Sequence, residues 1–204
     1  MAILFACNNE KKADENKAAE PAAATTETKA EPAPAIDPAA MDKAMKDFAT
    51  PGKMHEWLAS FNGTWNAEVI GFMDPTKPDT SKATQTYSMT LNGLYQEAKL
   101  SGKMMGGPFE GRSMTGYDNS KKIFVTTWVD NLGSGIIYMT GTYDETTKTL
   151  NLKGSQTNPV TGKDSGIREV MRITDANNYI LEMYGEGYDG KEAKFMEAKF
   201  SRKK

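Results

Sequence analysis

One cysteine, Cys7, and one histidine, His55, are present among 204 residues. A single cysteine excludes any disulfide within the chain. A single histidine excludes a multi-histidine metal site and a relay between two imidazoles. Neither sign of charge prevails, because 25 basic and 27 acidic residues leave a formal net charge of −2. A nucleic-acid partner asks for a basic face, so none is expected. No stretch approaches the roughly 20 apolar residues of a membrane-spanning helix. No serine stands in a nucleophile-elbow pattern. Gly106-Gly107 and the stretch Gly133 to Gly135 do not precede helices, which makes them loops and not phosphate cradles.

Aromatic and branched aliphatic residues are absent from Asn8 to about Ala35, where Ala, Glu, Lys, Thr and Pro dominate. Such a segment buries too little apolar surface to offset its chain entropy, and a disordered tether over 8–36 is expected. The sole cysteine heads that tether. Leu4-Phe5-Ala6-Cys7 resembles a bacterial lipobox, in which a small residue precedes the cysteine that becomes lipidated. Phe5 is bulkier than the usual residue there. Met1 to Ala6 is too short for a signal peptide and has no Lys or Arg ahead of its apolar run, as an upstream start would explain. Residues 1–7 thus read as a truncated signal with Cys7 as lipidation site, and the protein as a lipoprotein of the cell envelope, touching a membrane through its lipid anchor only. The alternative is a soluble protein with a stray cysteine.

Residues 37–204 suit one domain. Asp37-Pro38 reads as N-cap and first helical residue, followed by Met41, Met45 and Phe48 at helical spacing. Thr50-Pro51 repeats the start signal. Met54, Trp57, Leu58 and Phe61 then form one apolar stripe, placed to close a barrel mouth. Beyond them the punctuation is that of hairpins: Asn92-Gly93, Asp118-Asn119, Asn131 to Gly135, Asp144-Glu145, Asn177-Asn178 and Asp189-Gly190. Between these turns lie β-forming runs from Ile123 to Val129, Ile136 to Tyr143, Thr149 to Lys153, Ile167 to Ile173, Tyr179 to Tyr184 and Ala193 to Phe200. No helix-length segment interrupts them, which excludes parallel crossovers and leaves an antiparallel meander. About ten such strands avoid exposed edges by closing into a barrel.

Asn62-Gly63-Thr64-Trp65 opens that barrel. A Gly-x-Trp at the first strand, just after a helix, resembles the entry to lipocalin and fatty-acid-binding barrels, where the indole plugs one end. Further motifs recur together: Gly102 through Met104-Met105-Gly106-Gly107-Pro108-Phe109-Glu110-Gly111, Gly116-Tyr117-Asp118-Asn119, Trp128 with Asp130, and Gly141-Thr142-Tyr143-Asp144. Pro51-Gly52 with His55, Asn158-Pro159 with Gly162-Lys163, Arg168-Glu169-Val170, Glu182-Met183-Tyr184 and Asp189-Gly190-Lys191-Glu192 complete the set. In this order and spacing they resemble the bacterial domain-of-unknown-function 1579 family over nearly all of residues 40–204. The resemblance implies a secreted or anchored barrel of calycin type and brings no established activity. The fold expected is all-β: an antiparallel ten-stranded up-and-down barrel, calycin- or lipocalin-like, with two short N-terminal helices.

The candidate site residues follow from this frame. Trp128, with Thr126 and Asp130 at alternate positions, is the candidate cavity wall. A turn centred on Asp189-Gly190 puts Glu182 opposite Glu197 and Tyr184 opposite Phe195. A turn at Asn177-Asn178 places Met171 opposite Glu182, with Glu169 two residues along on the same face. Three glutamates would then share one face. Either they point outward beside Lys194 and Lys199, or they form a polar patch inside, balanced by Arg112 or Arg168, that orients a ligand; buried, at least one would hold its proton. A one-residue slip would dissolve the cluster. His55 lies one position off the helical stripe, as a cap-packing residue or a group lining the mouth. The methionines, 13 in all, fill core or line a pocket tolerant of shape. Haem-binding barrels of nitrobindin type rely on a histidine from the barrel, and no strand here carries one, so no cofactor and no metal are expected. The leading function is binding of a small hydrophobic or amphiphilic ligand without chemistry. Acid–base catalysis by clustered glutamates, or a filled barrel acting as an interaction module, are the alternatives.

Overall fold

Asp37 accepts the Ala39 amide on its carboxylate, which caps helix α1 (Pro38–Ala49). The computed structural model describes residues 37–204 except 73, 75, 105, 188 and 189. Cys7, the lipobox and the tether lie outside the described residues. Every residue of α1 is exposed, including the stripe of Met41, Met45 and Phe48. Its C-terminal end is held by the Asn119 side-chain amide, which donates to the carbonyls of Asp47, Phe48 and Thr50. Helix α2 (Lys53–Ala59) carries the second stripe, and Leu58 and Phe61 are buried as that stripe requires.

Ten strands follow: β1 (Gly63–Gly71), β2 (Asp79–Thr90), β3 (Tyr95–Met104), β4 (Gly107–Asp118) and β5 (Ile123–Asp130), then β6 (Ile137–Asp144), β7 (Thr149–Thr157), β8 (Asp164–Asp175), β9 (Asn178–Glu186) and β10 (Glu192–Arg202). Each pairs antiparallel with its sequence neighbour, and β1 pairs with β10, so the barrel closes with no free edge. Local chemistry sets the turns. Asp118, Asp144, Asn158 and Asp175 each accept backbone amides just downstream on a side-chain oxygen, turning the chain at the end of β4, β6, β7 and β8. Strands β7 and β8 run past the expected Lys153 and start before the expected Ile167, through Gly154 and Gly166, which lack β propensity. At Gly154 the reason is space: a Cβ there would lie 1.8 Å from the Tyr138 carbonyl oxygen.

Inward positions alternate along each strand, and the two barrel ends differ. At one end α2 acts as the plug. Trp57 packs its ring 5.2 Å from Phe124 and 4.6 Å from Tyr143, and Phe61 meets Trp65 and Tyr179. Gly63 adopts φ +115°, a turn few side chains tolerate, and aims Trp65 back under the plug. The Trp65 indole N–H donates to the Phe61 carbonyl at 2.8 Å. Arg202, opposite it on β10, lies 4.3 Å over the indole face and donates to the carbonyls of Ser60 and Asn62. The helix end, the first strand and the last strand are thereby tied at one point. The other end is ringed by the β1–β2, β3–β4, β5–β6, β7–β8 and β9–β10 connections.

Two bulges change the expected register. Asp175 pairs with Asn178, a register that would bring Met171 opposite Glu182 if it continued; an irregularity between Ile173 and Asp175 shifts it by one residue. Val170 therefore faces Glu182, and Met171 faces Leu181. Glu182 does pair with Glu197, but a second bulge between Lys194 and Met196 puts Lys194, and not Phe195, opposite Tyr184. The expected common face of Glu169, Glu182 and Glu197 does not form.

Candidate binding site

The single slip in β8 separates the glutamates across the barrel wall. Glu169 alternates with Ile167 and Met171 and pairs with Leu152 and Met183, all members of the core or packed against it, so it faces in. Glu182 and Glu197 face out. There Glu182 forms ion pairs with Arg172 and with Lys194 at 3.1 Å, while Lys194 also reaches Glu197 at 2.6 Å. Burial pushes the Glu182 carboxyl up, but hydrogen bonds from Arg172 and Lys194 outweigh it and hold the group below its ordinary range. Two like charges placed opposite each other are thus reconciled by a lysine between them. Arg168 and Tyr184 also belong to this outer wall: the guanidinium lies 3.8 Å over the phenol ring and pairs with Glu192 at 2.7 Å. Arg112 lies on the outer face too, exposed and opposite Lys99, so neither arginine balances Glu169.

Glu169 has no such neighbours. It makes no hydrogen bond or ion pair with any described residue, and its oxygens keep contact with space that a water molecule can enter. Burial alone pushes its carboxyl up to about 7. Its charge also reaches Tyr87 on β2 and Tyr179 on β9, whose hydroxyls share a hydrogen bond of 2.7 Å. Burial first pushes both phenols above their ordinary range; at Tyr179 the Tyr87 neighbour comes next, and the Glu169 charge adds a smaller push at both. Partial accessibility recurs at other inward positions, among them Ser81, Ser113, Gln156 and Ser165, whereas Phe124, Leu152 and Trp65 are sealed. Toward the open end Val69, Phe109 and Ile167 are sealed as well, so the accessible space in that half is local.

Trp128 and Asp130 lie in that open half. The indole N–H donates to Asp130 Oδ2 at 2.8 Å, and the ring stacks on Phe109 with centroids 6.5 Å apart. The ring also occupies the space over Gly111, where a Cβ would meet it at 2.2 Å, so glycine is required opposite Asp130. A recess of about 130 Å³ opens beside the indole, bordered by Asp130, Ile137 and Gln156. A larger recess, about 630 Å³, lies against the outer wall among Asn66, Glu68, Lys82 and Lys199, away from every group just described.

His55 is part of the plug and not of the open mouth. Its ring is buried and meets Tyr117 edge-on, with centroids 6.0 Å apart. The Gly52 amide donates to Nδ1 at 3.0 Å, so Nδ1 must be unprotonated and the proton sits on Nε2, which has no hydrogen-bond partner among the described residues. Desolvation lowers the imidazole pKa, and the neutral form is the one that fits.

The sequence puts Trp128 and Asp130 at alternate positions of one strand and Glu169 on the Met171 face. It did not find the Tyr87–Tyr179 pair or the Gly111 slot. A glutamate at period-2 spacing between Ile167 and Met171 was the available signal for an acid on the inner face.

The fold and site define a closed ten-stranded antiparallel barrel, plugged by a helix at one end, with an unpaired carboxyl inside. Residues 50–202 match the family model described as "Protein of unknown function (DUF1579)", and the chain belongs to that family. No curated protein matches it. Among solved structures it is similar to Rv2717c from M. tuberculosis, with a TM-score of 0.60 and 13% identity over 76% of this chain and 100% of that one. A redesigned beta barrel gives a TM-score of 0.38 at 12% identity, covering 72% of this chain and 95% of its own. The first likeness concerns the fold alone.

Proposed function

We propose that the barrel holds one small hydrophobic or amphiphilic molecule in its lumen, entering at the end opposite α2. One observation carries this reading: Glu169 stands unpaired and desolvated on an apolar inner face, yet in contact with enterable space. A buried ionisable group without a partner is costly and clusters at functional sites. Binding sites of this kind set affinity with an apolar lining and orientation with few polar groups. Trp128 serves as the wall, and Glu169 takes the orienting role expected of Glu182 or Glu197, which lie outside. The calycin type is supported by the Gly63, Trp65 and Arg202 arrangement at the plugged end. Catalysis by clustered glutamates lacks its geometry, since Glu169 and the Glu182–Glu197 pair occupy opposite faces.

A panel of environment-sensitive fluorescent lipids titrated into the parent and into Trp128→Ala tests the lumen. The parent binds at micromolar concentration, and Trp128→Ala binds about tenfold more weakly, which is about 1.4 kcal/mol. No binding to the folded parent, or equal binding by the folded variant, rejects the proposal.

Tethering to the envelope rests on Leu4-Phe5-Ala6-Cys7 and the polar stretch behind it. Expressed with an upstream leader, the protein partitions into the detergent phase and Cys7→Ala does not. A variant that partitions as the parent does removes the anchor.

A further inference from the structure

The charge on the inner wall has one sign where a ligand could meet it. Among the described residues, the titratable side chains at inward strand positions are Glu169, Asp130, the tyrosines 87, 117, 143 and 179, Arg202, and Asp79 at the rim. Arg202 is the one base among them, and the plug engages it: both terminal nitrogens donate to backbone carbonyls and the guanidinium covers Trp65. His55 belongs to the plug and is neutral. Asp130 accepts from the Trp128 indole on one oxygen and from the Leu132 amide on the other. Asp79 is exposed to solvent at the rim, so Glu169 is the acid of the inner wall left with its hydrogen-bonding capacity open, and its surroundings are Leu152, Met183, Ile167 and Met171.

We infer that the lumen selects amphiphiles with a protonated amine head, an alkyl- or arylammonium whose N–H groups pair with the Glu169 carboxylate. This rests on the reading of the lumen as a ligand site and narrows it to one chemical class. Removing a carboxylate from water is compensated only by a well-placed opposite charge or hydrogen-bond donors, and the wall supplies neither to Glu169. An ammonium supplies both and leaves an apolar tail for Leu152, Met183 and the Trp128 wall. A fatty carboxylate would meet a like charge, with Arg202 already occupied. A fatty alcohol fits the apolar lining but leaves an ionised Glu169 uncompensated.

The pairing fixes a direction with pH. Glu169 must be ionised to pair, so ammonium binding strengthens as pH rises through its midpoint near 7 and weakens again only as the amine deprotonates at about 10. Between pH 6 and pH 8 the ionised fraction, and with it the affinity, rises about tenfold. A carboxylate ligand would follow the opposite course. Tyr87 and Tyr179 face Glu169, but their phenols stay protonated across this range.

Competition against a neutral fluorescent probe, N-phenyl-1-naphthylamine, provides the test. Dodecylamine, dodecanol and dodecanoate, each below its aggregation limit, are titrated into the parent and into Glu169→Gln at pH 6 and pH 8. In the parent at pH 8, dodecylamine displaces the probe at least tenfold more tightly than dodecanol, and dodecanoate is weakest. Glu169→Gln erases that preference and the pH dependence, each compound being compared with dodecanol in the same variant. If the three compounds displace the probe equally, or the amine preference survives in Glu169→Gln, the head-group inference is overturned and the lumen reading stands. If the probe does not bind the parent, both fall. Should Glu169→Gln not fold, the pH dependence of dodecylamine in the parent decides: a flat profile between pH 6 and pH 8 overturns the inference.

Discussion

Glu169→Gln stabilises the ligand-free protein at pH 8 by about 3 kcal/mol and changes it little at pH 4. The figure follows from a carboxyl whose ordinary value of 4.5 rises to about 7 on burial. The sign is set by proton counting. Between pH 4.5 and pH 7 the folded protein holds a proton on Glu169 that the unfolded chain has lost, so stability falls as pH rises through that window and levels off above it. Glutamine has the same shape and cannot ionise, so it escapes the loss. For a domain of this size, about 3 kcal/mol shifts the melting temperature by on the order of 10 °C. His55 acts in the other direction: with its pKa lowered by burial, it removes stability as pH falls through about 6.5, where the unfolded imidazole takes up a proton. Because both proteins carry His55, the difference between their urea or thermal profiles isolates Glu169. Parallel profiles for parent and variant from pH 4 to pH 8 would show that the carboxyl is paired or fully solvated.

Trp65→Ala is the second large effect, a loss of about 3–5 kcal/mol. The indole is 1% exposed and joins three parts of the chain. Its N–H satisfies the Phe61 carbonyl, its face receives Arg202, and its edge meets Tyr179 with centroids 5.0 Å apart. Alanine leaves a cavity, an unsatisfied carbonyl and a guanidinium without its platform. Trp65→Phe keeps much of the packing and loses the hydrogen bond, so it falls between parent and alanine. Denaturant midpoints for the three proteins check the order. A Trp65→Ala protein within about 1 kcal/mol of the parent would mean that the plug contributes little to holding the barrel closed.

These two residues also mark what was legible in the sequence. Gly63-Thr64-Trp65 announced the barrel entry because the chemistry is local: a left-handed glycine followed by a ring that must be buried. Two turn residues were equally plain, since Asp118 and Asp144 cap the chain within three positions of themselves. The bulges left no comparable trace. Near Thr174 the run Val170-Met171 is apolar at adjacent positions, and both residues are buried, one on each side of the wall. Alternation therefore could not say which faced in. Phe195-Met196 repeats the ambiguity in β10, where Gly185 leaves room for the Phe195 ring, 3.3 Å from where a Cβ would stand. The extra residue in β8 decided the location of the glutamates, and with it the site. Trp128 and Asp130 escaped this uncertainty because β5 pairs without a break.

The central claim is that Glu169 faces the lumen without a partner. Carbon-13 NMR of glutamate side-chain carboxyls tests it most directly, with Glu169→Gln assigning the resonance. The account predicts one carboxyl titrating near pH 7, absent from the variant, with a midpoint that moves down when dodecylamine is added. A spectrum in which every glutamate carboxyl titrates below about pH 5, as solvated or paired carboxyls do, would contradict it.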